Sequence, residues 1–188
     1  MSLNARFPYG ARAVLSDGGR TGRPKKEIIA PGAFAFRVND PEADIHMLVG
    51  HSYDRPLASR AAGTLRLLDT PEALLIEADI SEEMEQVSYV QDFLRGFRAG
   101  LIMGLSPGFR IPPKRTVADA ETVEVEDPSE GTALIRTVRQ ALLYEISAVT
   151  VPAYKDAQIE ARSWKLDDSP LTEAPPLGLH RTLHRWRA

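Results

Sequence analysis

The sequence predicts a mainly β domain with some α structure (α+β), and three observations carry that expectation. About seven or eight short β-prone runs are bounded by turn residues. One segment has helical periodicity. Nowhere do strands and helices alternate as a βαβ fold requires. A mainly antiparallel barrel or sandwich with helices packed outside follows. The 188 residues, 43% of them hydrophobic, suffice for one domain with a real core. Residues 1–162 are read as that domain, and the Pro-rich, weakly patterned 163–188 as a flexible or processed tail.

Taken in order, residues 16–26 (SDGGRTGRPKK) read as an exposed loop. Residues 45–51 (IHMLVGH) alternate with Ile45, Met47, Val49 and His51 on one face, which predicts a strand ending at the histidine. Residues 63–68 and 73–80 are two further strands, with Asp69-Thr70-Pro71-Glu72 supplying the turn. Residues 82–99 predict a helix. Ser81 is its N-cap, three glutamates sit in its first turn, and Gly100 stops it. Met84, Val87, Val90, Leu94 and Phe97 form its apolar stripe. A strand over 101–111 follows, then a hairpin of 116–126 with 133–143, then a strongly β-prone run over 144–151 closed by Pro152.

Composition removes several function classes. With no cysteine, disulfides, zinc–thiolate centres and a cysteine nucleophile are excluded. A net charge of −3 gives no reason to expect nucleic acid as the main partner. No apolar run approaches membrane-spanning length, and residues 1–10 lack a signal-peptide core, so a soluble, unexported protein is expected with no membrane partner. No phosphate-binding loop or paired metal ligands occur, and no cofactor is expected. His180 and His184 have helical spacing but no third ligand, so a metal site there is rejected. The basic segment 178–188 is a short docked or frayed helix, or a docking segment for an acidic partner, and Lys25-Lys26 belong to a solvated loop.

Serine chemistry remains. In the 101–111 strand one face carries Leu101, Met103, Leu105, Phe109 and Ile111. The other carries Ile102, Gly104, Ser106, Gly108 and Arg110, so Ser106 stands between two glycines that would clear space for a peptide. A plain strand serine beside a bulge is the competing reading. Serine needs a base to take its proton, and histidine suits that task near neutral pH. Of four histidines, His51 is both anchored at a strand end and reachable in the loop HSYDRP, while His46 faces the opposite way. A surface-loop histidine is the alternative. Glu145, in an otherwise apolar strand with Ser147 on its face, could orient the imidazole, and so could Asp54. Pro107 has no N–H, so an oxyanion must draw on other donors, such as Gly108 or the 144–154 region.

Three blocks fall in order: LVGHSYDRPLASRAAGTLRL (48–67), GLIMGLSPGFRI (100–111) and YEISAVTVPAYKDAQI (144–159), with APGAF (30–34) upstream. Together they resemble the prohead (capsid-maturation) protease family of tailed phages over roughly 27–162. The resemblance implies an antiparallel β-barrel wrapped by helices, similar to herpesvirus assemblin proteases. It implies that His51 and Ser106 are the catalytic base and nucleophile and that Glu145 is the third member. It implies a serine endopeptidase inside the immature capsid in the host bacterial cytoplasm. Its substrates would be a scaffold or delta-like segment of the major capsid protein and the protease itself, with self-cleavage expected in or near 163–178. A homodimer is possible, with helix 82–99 as the candidate surface. The alternatives are a catalytically inactive capsid-assembly or scaffold-binding protein of the same fold and, ranked lower, a lipocalin-like binding barrel.

Overall fold

The computed structural model describes residues 1–20, 22–154 and 158–162. Along them run β1 (Ser2–Pro8), β2 (Arg12–Ser16), β3 (Lys25–Ile29), α1 (Ala35–Val38), β4 (His46–Val49), β5 (Ser52–Ser59), β6 (Leu65–Asp69) and β7 (Ala73–Asp79). Then come α2 (Glu82–Glu85), α3 (Ser88–Arg98), β8 (Gly104–Arg110), β9 (Glu121–Val125), β10 (Leu134–Val138), β11 (Leu142–Val149) and β12 (Gln158–Arg162). The chain is mostly β with few helices, as its patterning predicts, but it has more strands than expected. They form an eight-stranded sheet, ordered β5-β4-β11-β8-β12-β1-β7-β6, and a four-stranded sheet, ordered β2-β3-β10-β9.

The expected closed barrel is not formed. The large sheet ends at β5 and β6, which are consecutive in the chain and meet at a tight turn. There the Thr64 N–H donates to the Ser59 carbonyl at 3.1 Å, but no ladder continues from it. The reason lies at the turn itself. Arg60 N–H is already bonded to Ile45 O on one side, and Asp79 N–H to Thr64 O on the other, so the two strands diverge to separate partners. The sheets are also mixed: β4 runs parallel to β11, and β3 parallel to β10.

One contiguous core lies under these sheets. Leu3, Phe7, Phe34, Ile45, Met47, Leu74, Phe93, Leu105 and Leu143 are all essentially inaccessible. Phe34 stacks at a tilt on Phe7 and on Phe109, with ring centroids 6.0 and 5.8 Å apart, which ties β1 and β8 to the same centre. The helix predicted over 82–99 is two helices. Val87 adopts an extended conformation (ψ 134°) between them, and its carbonyl starts the second. Ser81 caps the first by accepting from Met84 N–H at 3.3 Å, and Gly100 ends the second at φ 71°. Val90, Phe93, Leu94 and Phe97 of α3 are buried in this chain's own core, so its apolar stripe is not free to form a dimer surface.

Other expectations shift at their edges. The strand predicted over 101–111 begins only at Gly104, and Leu101 (64% exposed) and Met103 (40%) are not core residues. The predicted loop after His51 is the strand β5. Lys26 is not a solvated loop residue: it lies in β3 and pairs with the buried Glu126. The tail 163–188, with His180, His184 and the expected self-cleavage region, lies outside the described residues. Among the described residues no helix is long and apolar enough to cross a membrane.

Candidate active site

The site is built on three neighbouring strands, β4, β11 and β8, and their register decides what meets. Directly paired residues on adjacent strands project to the same face. Ser147 of β11 is paired with Ser106 of β8, and Glu145 with Gly108. Ser106, Gly108, Glu145 and Ser147 therefore share one face. Leu105, Ile146 and Ala148 take the other and enter the core.

His51 reaches that face through a backbone device. Gly50 and His51 form a two-residue loop between β4 and β5, with Val49 paired to Ser52. Both loop residues have φ 61°. Two consecutive positive φ angles are the signature of a type I′ hairpin turn, whose twist matches that of the flanking strands. Glycine accepts this freely. Histidine is the only non-glycine residue in the left-handed region among the described residues, at a cost of roughly 1–2 kcal/mol. The turn also breaks strand alternation. His51 does not share the core-facing side of Ile45, Met47 and Val49, as a continued strand would require, but swings over the Glu145 face.

There it is held twice. Its backbone N–H donates to Ser147 Oγ at 2.9 Å, and its ring Nδ1 lies 2.7 Å from Glu145 Oε1. Ser147 Oγ donates in turn to Glu145 Oε2 at 2.6 Å. Both carboxylate oxygens are thus engaged, one by the imidazole and one by the hydroxyl. Glu145 is 5% exposed and Ser147 fully buried, whereas the His51 side chain is 47% exposed. Among the described residues no Lys or Arg lies within ion-pair distance of Glu145.

The glycines flanking Ser106 do something other than clear space for a peptide. A Cβ on Gly108 would overlap Glu145 Oε1, so Gly108 exists to let the glutamate side chain cross β8. A Cβ on Gly104 would lie 2.5 Å from the Pro152 ring. The vacated space is filled by the protein's own groups.

Of the predicted residues, the structure joins His51 to Glu145 and sets Ser106, partly exposed, on the same face. No hydrogen bond links Ser106 to His51 among the described residues. Asp54 is exposed on β5 and is not His51's partner. His46 shares the site's face, contrary to expectation. It is paired in register with Glu145, its Nε2 lies 3.4 Å from Asp44, and its ring packs edge-on to Tyr53 at 5.7 Å. Ser147 joins the set through its bonds to both His51 and Glu145, and its mark in the sequence is a second polar side chain two positions from Glu145 in an apolar strand.

The same face continues past Glu145. A β-bulge between Leu143 and Glu145 leaves Tyr144 unpaired and turns it beside the glutamate. Arg37 of α1 and Arg110 of β8 both lie over the Tyr144 ring, 4.5 and 5.5 Å from its centroid. The Tyr53 hydroxyl senses all of these groups. Its pKa is raised, first by desolvation and then by the Glu145 charge, against the opposing pull of Arg37 and Arg110.

A family model described as the caudovirus prohead serine protease matches residues 17–170. The chain belongs to that family. The description names serine proteases of the phage prohead, which suggests a role in capsid maturation, and the matched span contains every residue of the face just described. No curated protein and no solved structure matches the chain. For a prohead serine protease the expected setting is the immature capsid in the host cell, with capsid protein as substrate.

Proposed function

We propose that this chain is a serine endopeptidase in which Ser106 is the nucleophile, His51 the general base and Glu145 the group that orients the imidazole. The observation that carries the reading is the part-buried Glu145–His51 bond of 2.7 Å on the face that bears Ser106. An ionised carboxylate only accepts hydrogen bonds, so the ring proton sits on Nδ1 and the Nε2 lone pair is free for the serine. Ser106 Oγ attacks a peptide carbonyl as Nε2 takes its proton. The C–N bond then breaks, with that proton passing to the leaving amine. Water, deprotonated by the same nitrogen, releases the acyl group and regenerates the serine. Among the described residues Glu145 has no Lys or Arg within ion-pair distance, so an imidazolium at His51, the state the attack creates, is its nearest positive charge. Ser–His bonds in unliganded sites are commonly long and tighten when substrate arrives.

The substrates in this reading are scaffold or delta-like segments of the major capsid protein and the protease itself, cleaved within the prohead. Coexpression with the major capsid protein of the same particle tests it. The wild type trims the capsid N-terminus and Ser106→Ala does not, with a rate loss on the order of 10⁶-fold. Trimming that persists in Ser106→Ala removes the assignment.

A second reading, an inactive assembly protein, is favoured by the missing Ser106–His51 hydrogen bond and by Pro107, which offers no N–H to an oxyanion. Fluorophosphonate labelling of the wild type decides between them. A covalent adduct on Ser106 supports the protease, and no adduct supports the inactive protein.

A further inference from the structure

Beyond the triad, the geometry points to a cationic subsite, centred on Arg110 and backed by Arg37, that selects an acidic side chain in the substrate two to four residues from the cleaved bond. It rests on the protease reading above and names the substrate class for that site.

Arg110 stands on the same face of β8 as Ser106, four residues along the strand. At about 3.3 Å per residue, that places its Cα roughly 13 Å from the serine. An extended peptide laid on this face advances by the same rise, and an arginine side chain leans several ångströms toward it, so the matching residue lies two to four positions from the scissile bond. The bulge at Tyr144 fixes the guanidinium. Two arginines from separate elements converge on one ring, and cation–π contact holds each where like charges would otherwise push them apart. Arg37 is further anchored, its Nη2 donating to Asp44 O at 2.9 Å, while its buried Nε has no partner in the structure. Arg110 is exposed and, among the described residues, has no carboxylate partner. Glu145, Tyr144 and both arginines act on the nearby Tyr53 hydroxyl, so Glu145 is the carboxylate near the pair in that group. Glu145 is buried and committed to His51 and Ser147. The cluster therefore presents uncompensated positive charge beside the site, in a geometry suited to a bidentate carboxylate.

The test is a cleavage profile. Denatured, proteome-derived peptides are digested with the full-length protein, and the new termini are read by mass spectrometry. Wild type, Arg110→Gln, Arg110→Glu and Ser106→Ala are run in parallel, with melting curves to show that each variant is folded. Asp or Glu is expected to be enriched at one position two to four residues from the cut. Arg110→Gln should lower kcat/KM roughly threefold to tenfold on a peptide with that acid, chiefly through KM, and Arg110→Glu should replace the preference with Lys or Arg. Raising the salt should erode the wild-type preference. Cleavage that depends on Ser106 but shows no acidic preference, or one unchanged in both Arg110 variants, overturns the subsite and leaves the protease standing. Cleavage indifferent to Ser106→Ala, or no cleavage at all, overturns both.

Discussion

The two sheets bury glutamates in opposite ways. In the four-stranded sheet, Glu27 (4% exposed) is tied to Arg136 at 2.9 Å and to the Tyr154 hydroxyl at 2.7 Å. Glu126 (3%) is held by Lys26 and by the Ala133 N–H at 3.1 Å. Each of these carboxylates faces a cation that is charged at every physiological pH, and burial with such a partner is a structural arrangement. Burial and the Glu27 charge also push the Tyr154 hydroxyl well above the ordinary phenol range. In the eight-stranded sheet, Glu145 is as deeply buried, but its partner is an imidazole that gains and loses its charge. The difference teaches where to look for chemistry. A buried acid with a permanent counter-ion holds strands together, and one with a switchable counter-ion is positioned for proton transfer.

Paired substitutions separate the two roles, and the largest effect is expected at Glu145. Glu145→Gln keeps the shape but should favour the wrong imidazole tautomer, so kcat for peptide cleavage should drop about 10⁴-fold. Glu27→Gln should lower the melting temperature and leave kcat in the folded range unchanged. If both variants behaved alike in kcat and in melting, the comparison would fail.

The next contrast uses the glycines that admit each carboxylate. Gly108→Ala drives a methyl into Glu145 Oε1 and should displace the imidazole with it, for a loss of roughly a hundredfold in kcat/KM. Gly131→Ala places its Cβ 2.5 Å from Glu126 Oε2 and should show in thermal melting but not in turnover. Smaller still is Ser147→Ala, which strips one acceptor from the His51 N–H and one donor from Glu145. It should cost about 1–3 kcal/mol of stability, read by urea unfolding, and roughly tenfold in kcat.

The mildest test is of pH. Lys26, the Ala133 N–H and Arg12 hold the Glu126 pKa below its ordinary value. Its stabilising contribution is therefore present above the usual glutamate pKa, near 4.3, and is lost as the pH falls through the lower folded value. Glu126→Gln should flatten that acid limb in unfolding curves taken from pH 6 to 3. An unchanged limb would mean that other carboxylates carry it.

Much of this arrangement was legible from residue patterns. Alternation located β4, β-prone runs located β7 and β11, the turn residues at 69–72 and 127–131 located two hairpins, and the apolar stripe located α3. The polar islands Ser106 and Glu145 stood out because they interrupt apolar strands. The remainder depends on partners distant in sequence. The strand β1 alternates Leu3, Ala5 and Phe7 inward, but its ladders run to β7 and β12, and local pattern does not name such partners. The short strand β2 exposes Val14 and Leu15, so hydrophobicity there misreports burial. Alternation does not predict the orientation of His51, because the turn at Gly50 and His51 reverses it. The role of Gly108 depends on β11 lying against β8, a pairing that local pattern does not name.

The two-residue loop that carries His51 has a mechanical consequence. A base on a long, slack loop can be parked away from its serine at little cost. This one is clamped between paired strands, with its own main-chain amide bonded to β11, so shifting its backbone would mean unzipping the end of the β4–β5 ribbon, and the ring can leave only by breaking its bond to Glu145. If Ser106 and His51 act as proposed, a backbone rearrangement of this turn is a costly way to silence the site, and blocking access to Ser106 is a cheaper one.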